Sequence, residues 1–431
     1  MNTQKWWRES GAVLRISPKF DGLTLSDVRA MLPQIKEAGF SVVEIFAPYH
    51  GGIEYHGLDG IDFTTVDPKI GTFDDFAALV SDCHRMNLRI TVFLNLGYTA
   101  LAHPLFEEAQ RDIAAGKRTD ATDCFLWTSD PSRRFERPLA PWFLQDAHGS
   151  WAYSEVANRY YWCKWFGQRG DVRLPQLNFG SEIWQRECVR IMDFWRESGI
   201  DGYVVDAVNW YMDCDWEINY RCMSAPAFAN GELYLQPEGA GGFLDDPIPW
   251  IERGKYNSVQ DYSLNLWWEG SDPLGDAIKS GHPAGLEVKL SGYRDRVVGA
   301  GGVTYAAVGS FREASPEERL LEIGFMLAAG EMLFFDYAFF AGSGRFIVDE
   351  GTRELLVRQR DEMALAPFAR REHVFTDRDD CCFAMLRTHG GEGMLVVLNF
   401  ARVPVAARVF LPDKEVLRVE LPPLDTLWIK Q

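Results

Sequence analysis

The chain is short of several features that would each point to a function. It has no run approaching the roughly 18 consecutive apolar residues of a membrane-spanning helix. It has no run of Lys and Arg, and with 44 basic against 62 acidic residues its formal charge is −18. Nucleic acid and anionic membrane surfaces both require clustered positive charge, so neither is expected as a partner. The eight cysteines, at 83, 124, 163, 188, 214, 222, 381 and 382, form no C-x-x-C pair and no regular framework, and adjacent Cys381 and Cys382 are poorly placed to pair with each other. Free thiols in a reducing compartment are expected. The histidines are scattered without H-x-x-H spacing, and no D-x-[DN]-x-D-G loop occurs, so neither a zinc nor a calcium site is predicted. The start, MNTQKWWRESGAVLRI, lacks a basic-then-apolar leader pattern, which predicts a cytoplasmic protein. There is no internal repeat and no low-complexity tract.

What is present is an ordinary globular composition, 47% hydrophobic and 25% charged, with aromatics at 13% including 15 Trp. The first half alternates strand-like and helix-like segments. AVLRIS (12–17), FSVVEIFA and LRITVFLNL (88–96) read as strands. LSDVRAMLPQIKEAG reads as an amphipathic helix with Ser26 as its cap, and FDDFAALVSDCHRMN as a second helix. About 80 residues rich in Trp, Arg and Pro then precede SEIWQRECVRIMDFWRESG, a helix with Ser181 as its cap; a gap of that size inside a βα series reads as an inserted subdomain. The strands DGYVVDAV, ELYLQPEG (232–239), YNSVQDYS (256–263), GVTYAAVG (302–309) and EMLFFDY (331–337) follow. Eight βα units predict an α/β fold, a (β/α)8 TIM barrel whose site lies at the C-terminal strand ends. After about residue 370 the pattern becomes all-β, with a hairpin closing on His-Gly-Gly-Glu-Gly. The expected division is a barrel from 1–96 and 181–370, an inserted subdomain over 97–180, and a C-terminal β-sandwich over 371–431.

The apolar run Tyr203-Val204-Val205 ends abruptly in Asp206, and the fifth strand ends in Glu238. A charge at the end of a buried strand is costly unless it is paired or functional. Neighbouring strands can bring two carboxylates to one cleft, the minimum machinery for glycoside hydrolysis, with one as nucleophile or base and the other as acid. Ordinary loop carboxylates making caps or salt bridges are the alternative.

LPQLNFGSEIWQRECVRIMDFWRESGIDGYVVDAVNWY resembles the strand-four region of glycoside hydrolase family 13, the α-amylase family. EYHGLDGIDFTTVDPKIGTFDDFAALV resembles that family's G-Y-D-x-x-D-Y segment with its following D-P-x-x-G-T, and LRTHGGEGMLVVLNF and LPPLDTLWI resemble its C-terminal β-domain. The resemblance implies a retaining glycosidase with Asp206 as nucleophile and Glu238 as acid/base, and Asp59 as a sugar-binding residue. His56, Tyr98, Asn209, Trp210, Tyr211, Asp261 and Asp336 are further substrate-binding candidates around the same rim. The chain departs from the family pattern at Val204, where the family has Arg, at Phe93, Gly97 and Tyr98 in the strand-three motif, at Leu58, and near Gly309 and Ser310. The covalent pair is therefore retained while the recognition shell differs, and starch and long glucans are expected to be poor substrates. The expected ligand is a small α-glycoside or oligosaccharide, with no cofactor and no metal. Two alternatives stand beside hydrolysis: transglycosylation or rearrangement on the same barrel, and a non-catalytic amylase-like binding or assembly protein.

Overall fold

Eight short parallel strands form one sheet: β1 (Ala12–Ile16), β2 (Val42–Phe46), β3 (Arg89–Leu94), β4 (Gly202–Val205), β5 (Tyr234–Pro237), β6 (Ser258–Gln260), β7 (Val303–Ala307) and β8 (Met332–Asp336). The computed structural model describes residues 5–52, 57–133, 151–164, 173–211, 214–231, 233–239, 246–264, 271–309, 313–342 and 345–431. The strand order is β5-β4-β3-β2-β1-β8-β7-β6. The remaining edge, between β5 and β6, is closed by Asn257. Its backbone N–H donates to Leu235 O (3.2 Å), while its side chain accepts from Leu235 N–H (2.8 Å) and donates to Leu233 O (2.8 Å). An amide side chain thus substitutes for part of a ladder, and the sheet is an almost closed TIM barrel, as the βα alternation predicts.

The helices that pack outside begin where the sequence supplies caps. Helix α1 (Leu25–Glu37) starts at Thr24 rather than at the expected Ser26, because Thr24 and Asp27 form a reciprocal capping box that leaves Ser26 inside the first turn. Helix α2 (Phe73–Arg85) repeats the device with Thr72 and Asp75. Helix α3 (Pro104–Ala114) follows β3 and is capped by His103, whose Nδ1 accepts from Leu105 N–H at 3.1 Å. Helix α4 (Glu182–Glu197) is capped by Ser181 as expected, and α5 (Pro316–Ala329) precedes β8. Between β3 and α4 lie α3 and short antiparallel strands, Trp127–Thr128, Trp151–Ser154, Arg159–Lys164 and Leu174–Pro175.

A six-stranded antiparallel sheet follows, made of β9 (Arg370–Thr376), β10 (Cys382–His389), β11 (Glu392–Asn399), β12 (Val405–Phe410), β13 (Val416–Leu421) and β14 (Thr426–Lys430), in the order β13-β12-β9-β10-β11-β14. The β10–β11 hairpin turns on Gly390 and Gly391, both at positive φ, as a two-residue turn of this hand requires. One face of the sheet joins the barrel core through Phe383, Met385, Met394, Val396, Leu398 and Phe400, and the other has its own apolar cluster. All eight cysteines are free and buried, as expected from their spacing.

Candidate active site

Strands β4 and β5 are paired in parallel with Val205 opposite Pro237, so Asp206 and Glu238 are the next residues on adjacent strands. The ladder continues one step past each strand. Asp206 N–H donates to Leu94 O and Glu238 N–H to Val205 O, both at 2.8 Å. Ala207 then turns the chain out of the strand in a left-handed conformation, φ 43° and ψ 45°, that a residue with a Cβ adopts at a cost. Its N–H donates to Glu238 Oε2 at 2.9 Å. The backbone directly after one carboxylate therefore holds the other.

Around this pair lie phenols. Tyr49 donates to Leu58 O (3.0 Å), and Tyr211 OH accepts from Leu96 N–H (3.1 Å). Burial pushes both phenols well above their usual range, and the Asp206 charge adds to the effect, so the Asp206 carboxylate is within the field of both. Tyr262, just after β6, has the same relation to Glu238: burial raises its phenol first and the Glu238 charge next. It donates to Gln260 Oε1 at 2.6 Å. Asn95, at the end of β3, binds the rim together. Its amide donates to Leu58 O (2.8 Å) and Tyr98 O (2.7 Å) and accepts from Gly97 N–H (2.8 Å). Tyr49, Asn95 and Tyr262 were not among the sequence candidates. Each sits at or just beyond a strand end, and that position is the only signal that could have found them.

The sequence candidates distribute as follows. Tyr98 is fully buried behind the rim. Asn209 is buried beside Glu238's neighbour Gly239, where a Cβ would lie 3.0 Å from its Oδ1. Trp210 offers its carbonyl to Gln176 Nε2, which ties the turn after Asp206 to the segment between β3 and α4. Tyr211 stacks on Phe179 with ring centroids 4.7 Å apart. Its ring occupies the space a Cβ at Gly97 would need, at 2.4 Å, which gives Gly97 a packing reason. Asp59 is fully buried against Gly52, where a Cβ would fall 2.0 Å from its Oδ2, and near the Lys19 ammonium, which itself pairs with Asp67 at 3.1 Å. Asp261 turns toward the seam with the C-terminal sheet. Its carboxyl is buried with Glu331 and Arg294 and accepts from Ser263 N–H at 2.7 Å, and burial pushes it above the usual carboxylate range. Asp336 is at the end of β8, opposite Arg15 in register and away from β4 and β5. His56 and Ser310 lie outside the described residues.

A buried ion pair also went unnoticed in the sequence. Arg15 on β1 and Glu44 on β2 are direct partners, with Nε donating to Oε1 at 2.5 Å. The guanidinium lies over the rings of Phe334, Phe93 and Phe46 at 4.2, 4.7 and 5.3 Å. One charge in each of two otherwise apolar strands, of opposite sign, was the available clue.

A parallel eight-stranded barrel that presents two carboxylates at the C-terminal ends of adjacent strands belongs to the class whose functional groups gather at that rim. Residues 21–228 match the family model described as alpha amylase, catalytic domain, and through this segment the chain belongs to the α-amylase family. It is 32% identical over 160 residues to the trehalose synthase/amylase TreS of Mycobacterium tuberculosis, a match covering 37% of this chain and 25% of that protein. It is 28% identical over 214 residues to a probable alpha-glucosidase of Rhizobium meliloti, covering 48% of this chain and 36% of that protein. The chain thus spans only about a quarter to a third of these curated relatives. The alpha-amylase structure from H. orenii superposes with a TM-score of 0.77 at 16% identity, covering 98% of this chain and 99% of that one, a likeness of fold.

Proposed function

We propose that the chain is a retaining glycoside hydrolase acting on a small α-glycoside, with Asp206 as nucleophile and Glu238 as acid/base. The observation that carries this reading is the placement of the two carboxylates on adjacent strand ends, with Ala207 N–H fixing Glu238 Oε2 at 2.9 Å. An Asp206 oxygen attacks the anomeric carbon as the bond from that carbon to the leaving oxygen breaks. The Glu238 proton passes to the leaving oxygen, which departs as a hydroxyl. Glu238, now a carboxylate, takes a proton from water as the water oxygen displaces Asp206, and the configuration is retained. A fixed N–H at Glu238 reduces the reorganisation needed between its two roles. Two relatives bear the names alpha-glucosidase and trehalose synthase, which suits α-linked substrates and leaves transfer to a sugar hydroxyl as the second reading. The test is turnover of aryl α-glycosides, with the first-formed anomer followed by NMR and with a sugar acceptor added in a parallel reaction. Retained configuration is expected. Asp206→Asn and Glu238→Gln should each lower kcat by several orders of magnitude with the circular dichroism spectrum unchanged. A near-wild-type rate in either variant would remove that residue from its role, and inversion would refute the covalent step.

A further inference from the structure

On the side of the barrel mouth opposite β4 and β5, a cavity of about 560 Å³ opens between the C-terminal ends of β1, β2, β7 and β8. Its size falls within the roughly 300–1,000 Å³ of small-molecule sites. The register across three neighbouring strands sets Asp336, Arg15 and Glu44 side by side, with Asp336 opposite Arg15 and Arg15 opposite Glu44. Arg15 and Asp336 line the cavity with Asp21, whose Oδ2 accepts from Ser17 N–H at 2.7 Å, while Glu44 stands behind and engages the guanidinium. Three carboxyl groups thus meet one guanidinium. The wall is completed by aromatic rings, of which Phe20 and Phe339 keep 55% and 37% of their surface exposed.

This lining has a definite chemistry. Carboxylates accept strong hydrogen bonds from hydroxyls, and exposed rings give the C–H face of a pyranose an apolar surface to cover. Arg15 is the one cation in the wall, and it is already matched by Glu44 and Asp336, so no positive charge is left for an anionic substituent. We propose that this cavity is a second sugar subsite that takes an uncharged, hydroxyl-rich ring and excludes phosphorylated or carboxylated sugars.

The inference rests on the glycosidase reading for the identity of its ligand, and a binding measurement separates the two. The full chain carrying Glu238→Gln, to prevent turnover, is titrated calorimetrically with a neutral α-linked glucose disaccharide and with its 6-phosphate. The neutral sugar is expected to bind at least about tenfold more tightly, since facing like charges are strongly unfavourable in a desolvated site. Adding Asp336→Asn should weaken the neutral sugar about tenfold and narrow the discrimination. Adding Phe20→Ala, at an exposed position where folding is not at stake, should weaken both sugars. Equal affinity for the two sugars, no binding of either, or parent-like binding by both added variants would overturn the proposal. If discrimination appears while the wild-type chain turns over no glycoside, the subsite stands and the hydrolase reading falls. Turnover with binding that neither added variant alters gives the reverse.

Discussion

Ala207 joins backbone strain to chemistry in one residue. Its φ of 43° brings the chain sharply out of β4, and its N–H ends on Glu238. A β-branched side chain tolerates this conformation far less well than Ala does. Ala207→Val is expected to cost about 1–3 kcal/mol of stability in chemical denaturation and to lower kcat more than it raises KM, because Glu238 loses its fixed donor. A variant with wild-type stability and rate would show that the turn does not constrain Glu238. Arg15 offers a second test. Removing one partner of a buried pair leaves an uncompensated charge, and Arg15→Met should destabilise the barrel by about 3–5 kcal/mol, whereas the double change with Glu44→Leu should recover most of that loss. Glu44 is almost fully buried, so burial pushes its carboxyl up and only Arg15 opposes that shift.

At the scale of an element, the start of α3 is a built-in acid sensitivity. His103 caps the helix with an unprotonated Nδ1, and burial pushes its imidazole down from 6.5 to about 4. A folded pKa below the unfolded one means that the unfolded chain binds the proton first. The stability this provides is complete above pH 6.5 and is lost as pH falls toward 4, by no more than on the order of 3 kcal/mol. His103→Asn keeps a cap acceptor without a titrating ring. Its unfolding free energy should therefore fall less than that of the wild type between pH 6.5 and 4 in urea titrations, and parallel curves would refute the assignment. At the opposite end of the strands, Asp201 pins β3 to β4 by accepting from Ile90 N–H (2.9 Å) and Arg89 Nη1 (3.0 Å), and it also pairs with His84 at 2.9 Å.

Over the whole molecule, the barrel and the C-terminal sheet share one core and an arginine-rich seam. Arg371 forms bidentate contacts to Glu287 (2.6 and 2.9 Å) and reaches Asp295 at 2.6 Å. Arg387 donates to Ala328 O and Ala366 O, filling the space left by the missing side chain of Gly330. These bonds join the sheet to the end of α5 just before β8. Arg371→Ala should lower the melting temperature of the barrel and the sheet together, in a single transition, because the hydrophobic contact of Phe325 with Phe383 and Phe400 makes them cooperative. Two separated transitions in calorimetry would show instead that the seam is dispensable. Among the described residues no helix is long and apolar enough to cross a membrane.

The order of strands and helices, the caps at Thr72 and Ser181, the hairpin at Gly390-Gly391 and the all-β end follow from local periodicity and turn chemistry, which act over a few residues and so are written in the sequence. The same holds for the two carboxylates, because an apolar run that stops at a charge is visible in one dimension. The cap of α1 went to Thr24 because the reciprocal bond with Asp27 outweighed proximity to the apolar stripe. What the sequence could not contain is the neighbour across a strand. The Arg15–Glu44 pair, the phenols beside Asp206 and Glu238, the withdrawal of Asp261 to Glu331 and Arg294, and the Asp336–Arg15–Glu44 row each join residues from different strands or remote turns. Their positions depend on register and barrel closure, and a one-residue slip would send each side chain to the opposite face of the sheet. Sequence alone therefore determined which groups could do chemistry at the rim, and only the tertiary structure decided which of them meet, because burial and strand register set the company each charge keeps.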